Sequence, residues 1–159
     1  MPALAAVITV SDRSAAGVRA DASGPAAVAA LREAGFECPD ATVVPDGADA
    51  VEQALRAALA AGARLIVTNG GTGVAPRDRT PEGTARVIER ELPGLAEELR
   101  RRGTADTPAA VLSRGLTGVT DRALIVNLPG SPRAVGTGIV VVVDVAAHVL
   151  AQLDGGDHA

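Results

Sequence analysis

The sequence predicts a single α/β domain built on a mostly parallel β-sheet. Three observations carry that prediction. Short apolar runs rich in Val and Ile alternate with segments whose apolar residues recur at helical spacing. Four of the runs end in polar or Gly/Pro-rich clusters, at Ser11-Asp12, Asp46-Gly47, Asn69-Gly70-Gly71 and Asn127-Pro129-Gly130, as parallel strands sharing one carboxyl edge would. The 159 residues, 47% hydrophobic and 21% charged, suffice for one buried core and contain no linker, repeat or low-complexity segment that would mark a second domain.

Ala5 to Val10 is apolar and β-branched, a first strand halted by Ser11, Asp12 and Arg13. After a loop of small residues, Asp21, Ser23, Gly24 and Pro25 open a helix on which Ala27, Val28 and Leu31 share a face, closed by Gly35. Phe36, which follows this stop, is read as core filling. Thr42 to Val44 forms a second strand that ends at Pro45, Asp46 and Gly47. Val51, Leu55, Ala58 and Leu59 then mark an amphipathic helix stopped at Gly62. Leu65, Ile66 and Val67 make a buried third strand that empties into Gly70, Gly71, Thr72 and Gly73. Thr80, Pro81 and Glu82 read as a helix start, with Thr as N-cap, Pro at N1 and an acid in the first turn. That helix carries Val87 and Ile88 to a break at Pro93-Gly94. A further helix, with Leu95 and Leu99 on one face, ends in Arg100, Arg101 and Arg102, read as a solvated cap at the negative end of the helix dipole. Leu116 to Val119 and Ala123 to Asn127 flank Thr120-Asp121-Arg122 as a hairpin. Ile139 to Val143 reads as strand by β-branching, whereas Ala146, Val149, Leu150 and Leu153 are helically spaced, and both readings stay open. Residues 154 to 159 are read as a frayed end.

Composition removes several functions. All 15 basic residues are arginine, so a Walker-type P-loop and Schiff-base chemistry, both of which need a lysine, are excluded. With one aromatic residue, a net charge of −4 and a pI near 5.1, neither a base-stacking platform nor a polyanion-binding surface is expected, and nucleic acid is not a partner. The amino end carries no basic leader, and no apolar run approaches the length of a membrane span. A cytoplasmic protein with no membrane partner is expected. Cys38 has no second cysteine to pair with and is read as a packing residue, and no His/Cys cluster supports zinc.

The chemistry concentrates between Leu65 and Thr84. Glycines let the backbone approach an anion closely, and the helix start at Thr80 adds unpaired N–H groups and the positive end of a dipole, an arrangement suited to phosphate. A carboxylate at Asp78 would repel phosphate unless a divalent cation such as Mg²⁺ lies between them. Asp46, at a neighbouring strand end, supplies a second acid for such a cation. The alternative is a tight strand-to-helix connection whose glycines serve backbone geometry alone.

With SDR at 11 to 13, DASGP at 21 to 25, PDG at 45 to 47, TNGGTG at 68 to 73, RDRTPE at 77 to 82, LSRG at 112 to 115 and NLPGSP at 127 to 132, the chain resembles the MogA/MoaB-type molybdenum cofactor biosynthesis proteins and the gephyrin G domain, over about residues 4 to 153. The resemblance implies a three-layer α/β sandwich, usually assembled as a trimer. It also implies molybdopterin adenylyltransferase activity, in which molybdopterin and ATP give adenylylated molybdopterin and pyrophosphate with Mg²⁺, with the downstream molybdenum-insertion protein as a further partner. Carried over by position, Asp46 and Asp78 match the catalytic, metal-associated acids, and Gly70, Gly71, Thr72 and Gly73 match the nucleotide and phosphate loop. Ser11, Asp12 and the turn comprising Asn127, Pro129, Gly130 and Ser131 match segments on the pterin side. The chain departs from the pattern in having Asn69 where a second Thr is common, Ala147 before His148 where proline is frequent, and an unusually β-branched Ile139 to Val143. His148 is read as a structural helix residue, and Arg77 and Arg79 as either assisting groups or surface residues. Two other readings stay open: a MoaB-type paralogue that binds pterin or nucleotide without adenylylation, and an α/β nucleotide-dependent hydrolase, for which the motifs offer no water-activating His.

Overall fold

The computed structural model describes residues 1 to 156. Its sheet contains β1 (Ala5–Val10), β2 (Thr42–Val44), β3 (Leu65–Asn69), β4 (Arg90–Glu91), β5 (Thr117–Val119) and β6 (Leu124–Leu128), in the order β2-β1-β3-β6-β5-β4. The four strands β2, β1, β3 and β6 are parallel, and β5 and β4 add antiparallel pairings at one edge. Strands β3 and β6 are buried along their whole length, which is why each opens on an apolar run, Leu65 to Val67 and Leu124 to Val126, before buried polar residues towards the carboxyl end.

Helices α1 (Asp12–Ala15), α2 (Ser23–Glu33), α3 (Ala48–Ala60), α4 (Thr80–Ala85), α5 (Pro93–Gly103) and α6 (Pro132–Leu153) cover the sheet. On one face Val7, Val67 and Val126 pack with Ala27, Leu31, Val135, Ile139 and Val142 of α2 and α6. On the other, Ile8, Ile66 and Ile125 pack with Val51 and Leu55 of α3. These are the three expected layers. The register aligns Thr9, Asn69 and Leu128 at the carboxyl ends of the central strands, so the loops that follow them open on one edge.

Several elements differ from the sequence reading. Ile139 to Val143 is helical, inside the 22-residue α6. Among the described residues α6 is the one helix long and apolar enough to cross a membrane by length and composition, which amends the expectation that no apolar run reaches that scale. Its Val135, Ile139, Val142 and Ala146 are spent on the core. The helix opened at Thr80 ends at Ala85, before Val87 and Ile88, and the short β4 follows it. Thr80 is not an N-cap: Arg79 holds that position without a side-chain cap, and Thr80 is fully buried inside the first turn. The α5 arginines are not a simple solvated cap either. Arg101 and Arg102 pair with Glu98, while Nη1 of Arg100 donates to the carbonyls of Ser113 (3.2 Å) and Gly115 (3.1 Å). Phe36 is half-buried against the core and Cys38 is buried, as read. Asp154 accepts from Nη2 of Arg64 at 2.8 Å, so 154 to 156 do not form the frayed end read there; 157 to 159 lie outside the described residues.

Candidate functional site

The loop after β3 turns back on itself at Gly70 (φ 101°) and Gly71 (φ 67°), a left-handed backbone that favours glycine. Space excludes side chains as well. A Cβ at Gly70 would lie 2.2 Å from the carbonyl oxygen of Val10, and one at Gly71 would lie 2.2 Å from Oγ1 of Thr80.

The carbonyls of this loop are all taken. Oγ1 of Thr80 donates to Gly70 O (2.8 Å) and the Thr80 amide to Gly71 O (3.1 Å). The Arg114 amide donates to Thr72 O (2.8 Å), and its Nε donates to Gly73 O (2.8 Å). In a planar trans peptide the N–H points opposite the C=O. The amides of Gly71, Thr72, Gly73 and Val74 therefore point away from Thr80 and Arg114, and among the described residues none has a protein acceptor. Consecutive unpaired amides of this kind are the material of an anion-binding nest.

Two carboxylates stand against that nest. A Cβ at Gly71 would meet Oδ1 of Asp46 at 3.2 Å, and one at Gly73 would meet Oδ2 of Asp78 at 2.8 Å. Oδ2 of Asp46 accepts from the Asp12 amide (2.9 Å) and Oδ2 of Asp78 from the Ala75 amide (3.0 Å). Each acid keeps Oδ1 without a protein donor among the described residues. Burial pushes the Asp46 carboxyl above its ordinary value, and the charges of Asp12 and Asp78 push it further. Two repelling carboxylates with free oxygens beside an anion nest fit a hard divalent cation, which takes one or two carboxylates and completes its shell with phosphate oxygens and water. Among the described residues there is no group of three or more His, Cys, Asp or Glu that could hold a metal by itself.

Asp12 is differently placed. The Arg77 guanidinium grips it through Nε to Oδ2 (3.0 Å) and Nη2 to Oδ1 (2.9 Å), and also reaches Asp46 O (2.9 Å). This fork holds the Asp12 carboxyl below its ordinary value. The Asp46 amide donates back to Oδ1 of Asp12 (3.0 Å), so Arg77 and Asp12 clamp the loops after β1 and β2 together.

Residues 6 to 148 match the family described as "Probable molybdopterin binding domain". A protein of Haemophilus influenzae named molybdopterin adenylyltransferase is 37% identical over 150 residues, covering 92% of this chain and 76% of its own length. The chain belongs to this MogA/MoaB family. The molybdenum cofactor biosynthesis bifunctional protein of Synechococcus elongatus is 41% identical over 154 residues, 97% of this chain and 48% of that protein, so the chain spans about half the length of this bifunctional relative. The structure of the molybdopterin biosynthesis Mog protein from Mycobacterium ulcerans superposes with a TM-score of 0.91 at 43% identity, covering 98% of this chain and 99% of that one.

Within this MogA/MoaB fold the carboxyl edge holds two adjoining clefts. A polar cleft of about 550 Å³ is lined by Ser11, Asp12, Asp46, Asp78, Gly130 and the glycine loop, among others. A neighbouring cleft of about 480 Å³ runs over Asn127, Leu128 and Pro129 towards α5 and α6, and Thr72, Gly73 and Ser131 border both. The edge thus brings together the acids, the glycine loop and the pterin-side residues that the resemblance implies, but not all with free side chains. Ser11 Oγ caps α1 and Ser131 Oγ caps α6. Asn127, 3% exposed, spends its amide on Oγ1 of Thr68 and Thr84 (2.9 Å each) and accepts from the Leu116 amide. It braces the floor beneath the turn. Asn69, 1% exposed and lining the polar cleft, has no partner among the described residues for either end of its carboxamide. His148 lies on the exposed side of α6 beside Gln152, away from both clefts. The site residues that sequence reading missed are Thr80 and Arg114. LSRG was visible as a motif, but nothing local to it points to the glycine loop.

Proposed function

We propose that this chain is a molybdopterin adenylyltransferase acting in the cytoplasm: it transfers AMP from ATP to molybdopterin and passes the adenylylated product to a molybdenum-inserting protein. The observation that carries the reading is the nest of four unpaired amides flanked by Asp46 and Asp78, each with an open oxygen. The terminal phosphate of molybdopterin attacks the α-phosphorus of ATP. A new phosphorus–oxygen bond forms, the bond to the β-phosphate oxygen breaks, and pyrophosphate leaves with the electron pair. Such a transfer needs in-line positioning and charge stabilisation more than covalent chemistry, and no nucleophile or general base is required of the protein. The loop amides would hold phosphate oxygens, and Asp46 and Asp78 would hold Mg²⁺. When bound, Mg²⁺ supplies neutralisation of the charge that builds up on those oxygens. The adjoining cleft beside the Asn127 to Ser131 turn takes the remaining, pterin-bearing part of the substrate. The same reading makes the chain one subunit of a homotrimer.

The test is Asp78→Asn, which keeps size and removes the charge that faces the cation. Removing one electrostatic stabiliser costs roughly 10²-fold in rate, or about 2.7 kcal/mol. Adenylylated product should fall by that factor while molybdopterin still binds, and the wild type should stop in EDTA and recover with Mg²⁺. Wild-type turnover in Asp78→Asn, or full activity without divalent metal, refutes the assignment.

A further inference from the structure

We propose that Arg114 is the positioning residue of this site, holding the glycine loop in its anion-binding form without itself touching the anion; the proposal rests on the phosphate reading given above. Its guanidinium reaches three points at once: Nε to Gly73 O (2.8 Å), Nη2 to Asp78 O (2.8 Å) and Nη1 to Oε1 of Glu82 on α4 (2.5 Å). Its own amide holds Thr72 O. One residue therefore ties the middle of the nest, the backbone of the cation-facing acid and the following helix into one rigid unit. Turning the Thr72 and Gly73 carbonyls inward is what turns the Gly73 and Val74 amides outward.

Arg114 is bound to a carboxylate, that of Glu82, which it shares at longer range with Arg79 (3.8 Å). The ion pair with Arg114 holds the Glu82 carboxyl below its ordinary value. The guanidinium thus acts through geometry: three separate nitrogens of one planar group each reach a different acceptor, whereas the three donors of a lysine ammonium sit on a single nitrogen that cannot stand in all three places. Arg114 is itself held from behind, since Arg100 on α5 grips the carbonyls of Ser113 and Gly115 on either side of it. The relay runs from α5 through the 113 to 115 segment to the loop.

The experiment is titration of Mg²⁺-pyrophosphate into wild type, Arg114→Lys and Arg100→Gln, read by calorimetry and by the amide NMR signals of Gly71, Thr72 and Gly73. Wild type should bind with shifts at those amides. Arg114→Lys keeps the charge but should bind about tenfold more weakly or worse, on the scale seen when groups that orient ligating residues are removed. Its loop amides should respond differently, while signals from the sheet stay native. Arg100→Gln, which leaves the loop contacts in place but frees the segment that carries Arg114, should weaken binding by a smaller factor and keeps the test open if Arg114→Lys does not fold. Wild-type affinity in folded Arg114→Lys, or in Arg100→Gln if the first variant does not fold, overturns the proposal and leaves the phosphate reading intact. Failure of the wild type to bind pyrophosphate sinks both.

Discussion

Gly71→Ala tests the geometry of the loop most directly. At φ 67° an alanine pays for the left-handed backbone about 1–2 kcal/mol. Its Cβ would also stand 2.2 Å from Oγ1 of Thr80, displacing the hydroxyl that satisfies the buried carbonyl of Gly70. Leaving such an acceptor unpaired adds about 1–3 kcal/mol, for about 2–5 kcal/mol in all. At roughly 2–4 °C per kcal/mol for a chain of this size, the melting temperature should fall by at least about 4 °C. Because the clashing atom is the hydroxyl itself, Thr80→Ala in the same chain removes the collision, and the hydrogen bond can be lost only once. The double variant should therefore be less destabilised than the sum of the two singles by roughly 1 kcal/mol, the hallmark of residues in contact. Denaturant unfolding of the four proteins measures the cycle. Additive costs, or a Gly71→Ala protein within about 0.5 kcal/mol of wild type, refute the reasoning, since changes of that size are what unremarkable surface positions give.

Asn69→Leu should stabilise the free protein, because it replaces a buried carboxamide lacking any partner with an apolar side chain of similar size. A gain of about 1 kcal/mol would raise the melting temperature by roughly 2–4 °C, and a loss would show that the amide has a partner in solution. Mg²⁺ affinity should weaken as pH falls. The Asp46 carboxyl titrates above 3.8 because burial raises it, so protons compete with the cation as pH descends through the raised value, and the competition vanishes above it. Without metal the same shift works in the opposite sense on stability: the Asp46 contribution is full below 3.8 and is lost as pH rises through the raised value. Calorimetric Mg²⁺ titrations from about pH 7 to pH 4 check the first point, and a flat profile would remove Asp46 from the cation site. Light scattering at micromolar concentration should give the mass of three chains, consistent with Val111, Leu112 and Val140 being 63%, 57% and 54% exposed; a one-chain mass excludes the trimer.

How much of this was legible in the sequence depends on how local each cause is. Strands β1, β3 and β6 announce themselves because burial on both faces demands a run of three or more consecutive apolar residues at the start of each. Ile139 to Val143 misleads because β-branching is a local preference costing at most about 0.7 kcal/mol per residue, whereas fully burying a side chain such as Ile139 or Val142 gains about 1.5–3 kcal/mol. The stripe Val135, Ile139, Val142, Ala146, Leu150 decides for helix. Strand β4 is two exposed residues, Arg90 and Glu91, with no apolar pattern to read. In the site, acids and glycines stand out by type and spacing. The contacts that orient them do not, because Arg114 meets Gly73 across 41 residues and Arg77 meets Asp12 across 65. Thr80 reads as a cap because its sequence context fits one, and only the fold turns its hydroxyl to Gly70 instead.

The two borders of the sheet carry one further consequence. β2 is three residues long and β4 two, so each border offers a neighbouring chain only a few free backbone groups before the chain turns away. Copies of this protein cannot extend the sheet from one molecule into the next with any useful run of hydrogen bonds. Association must therefore proceed through side chains on helices and loops, where the contact can be closed and finite, and growth into open fibres along the strand direction has no template to follow.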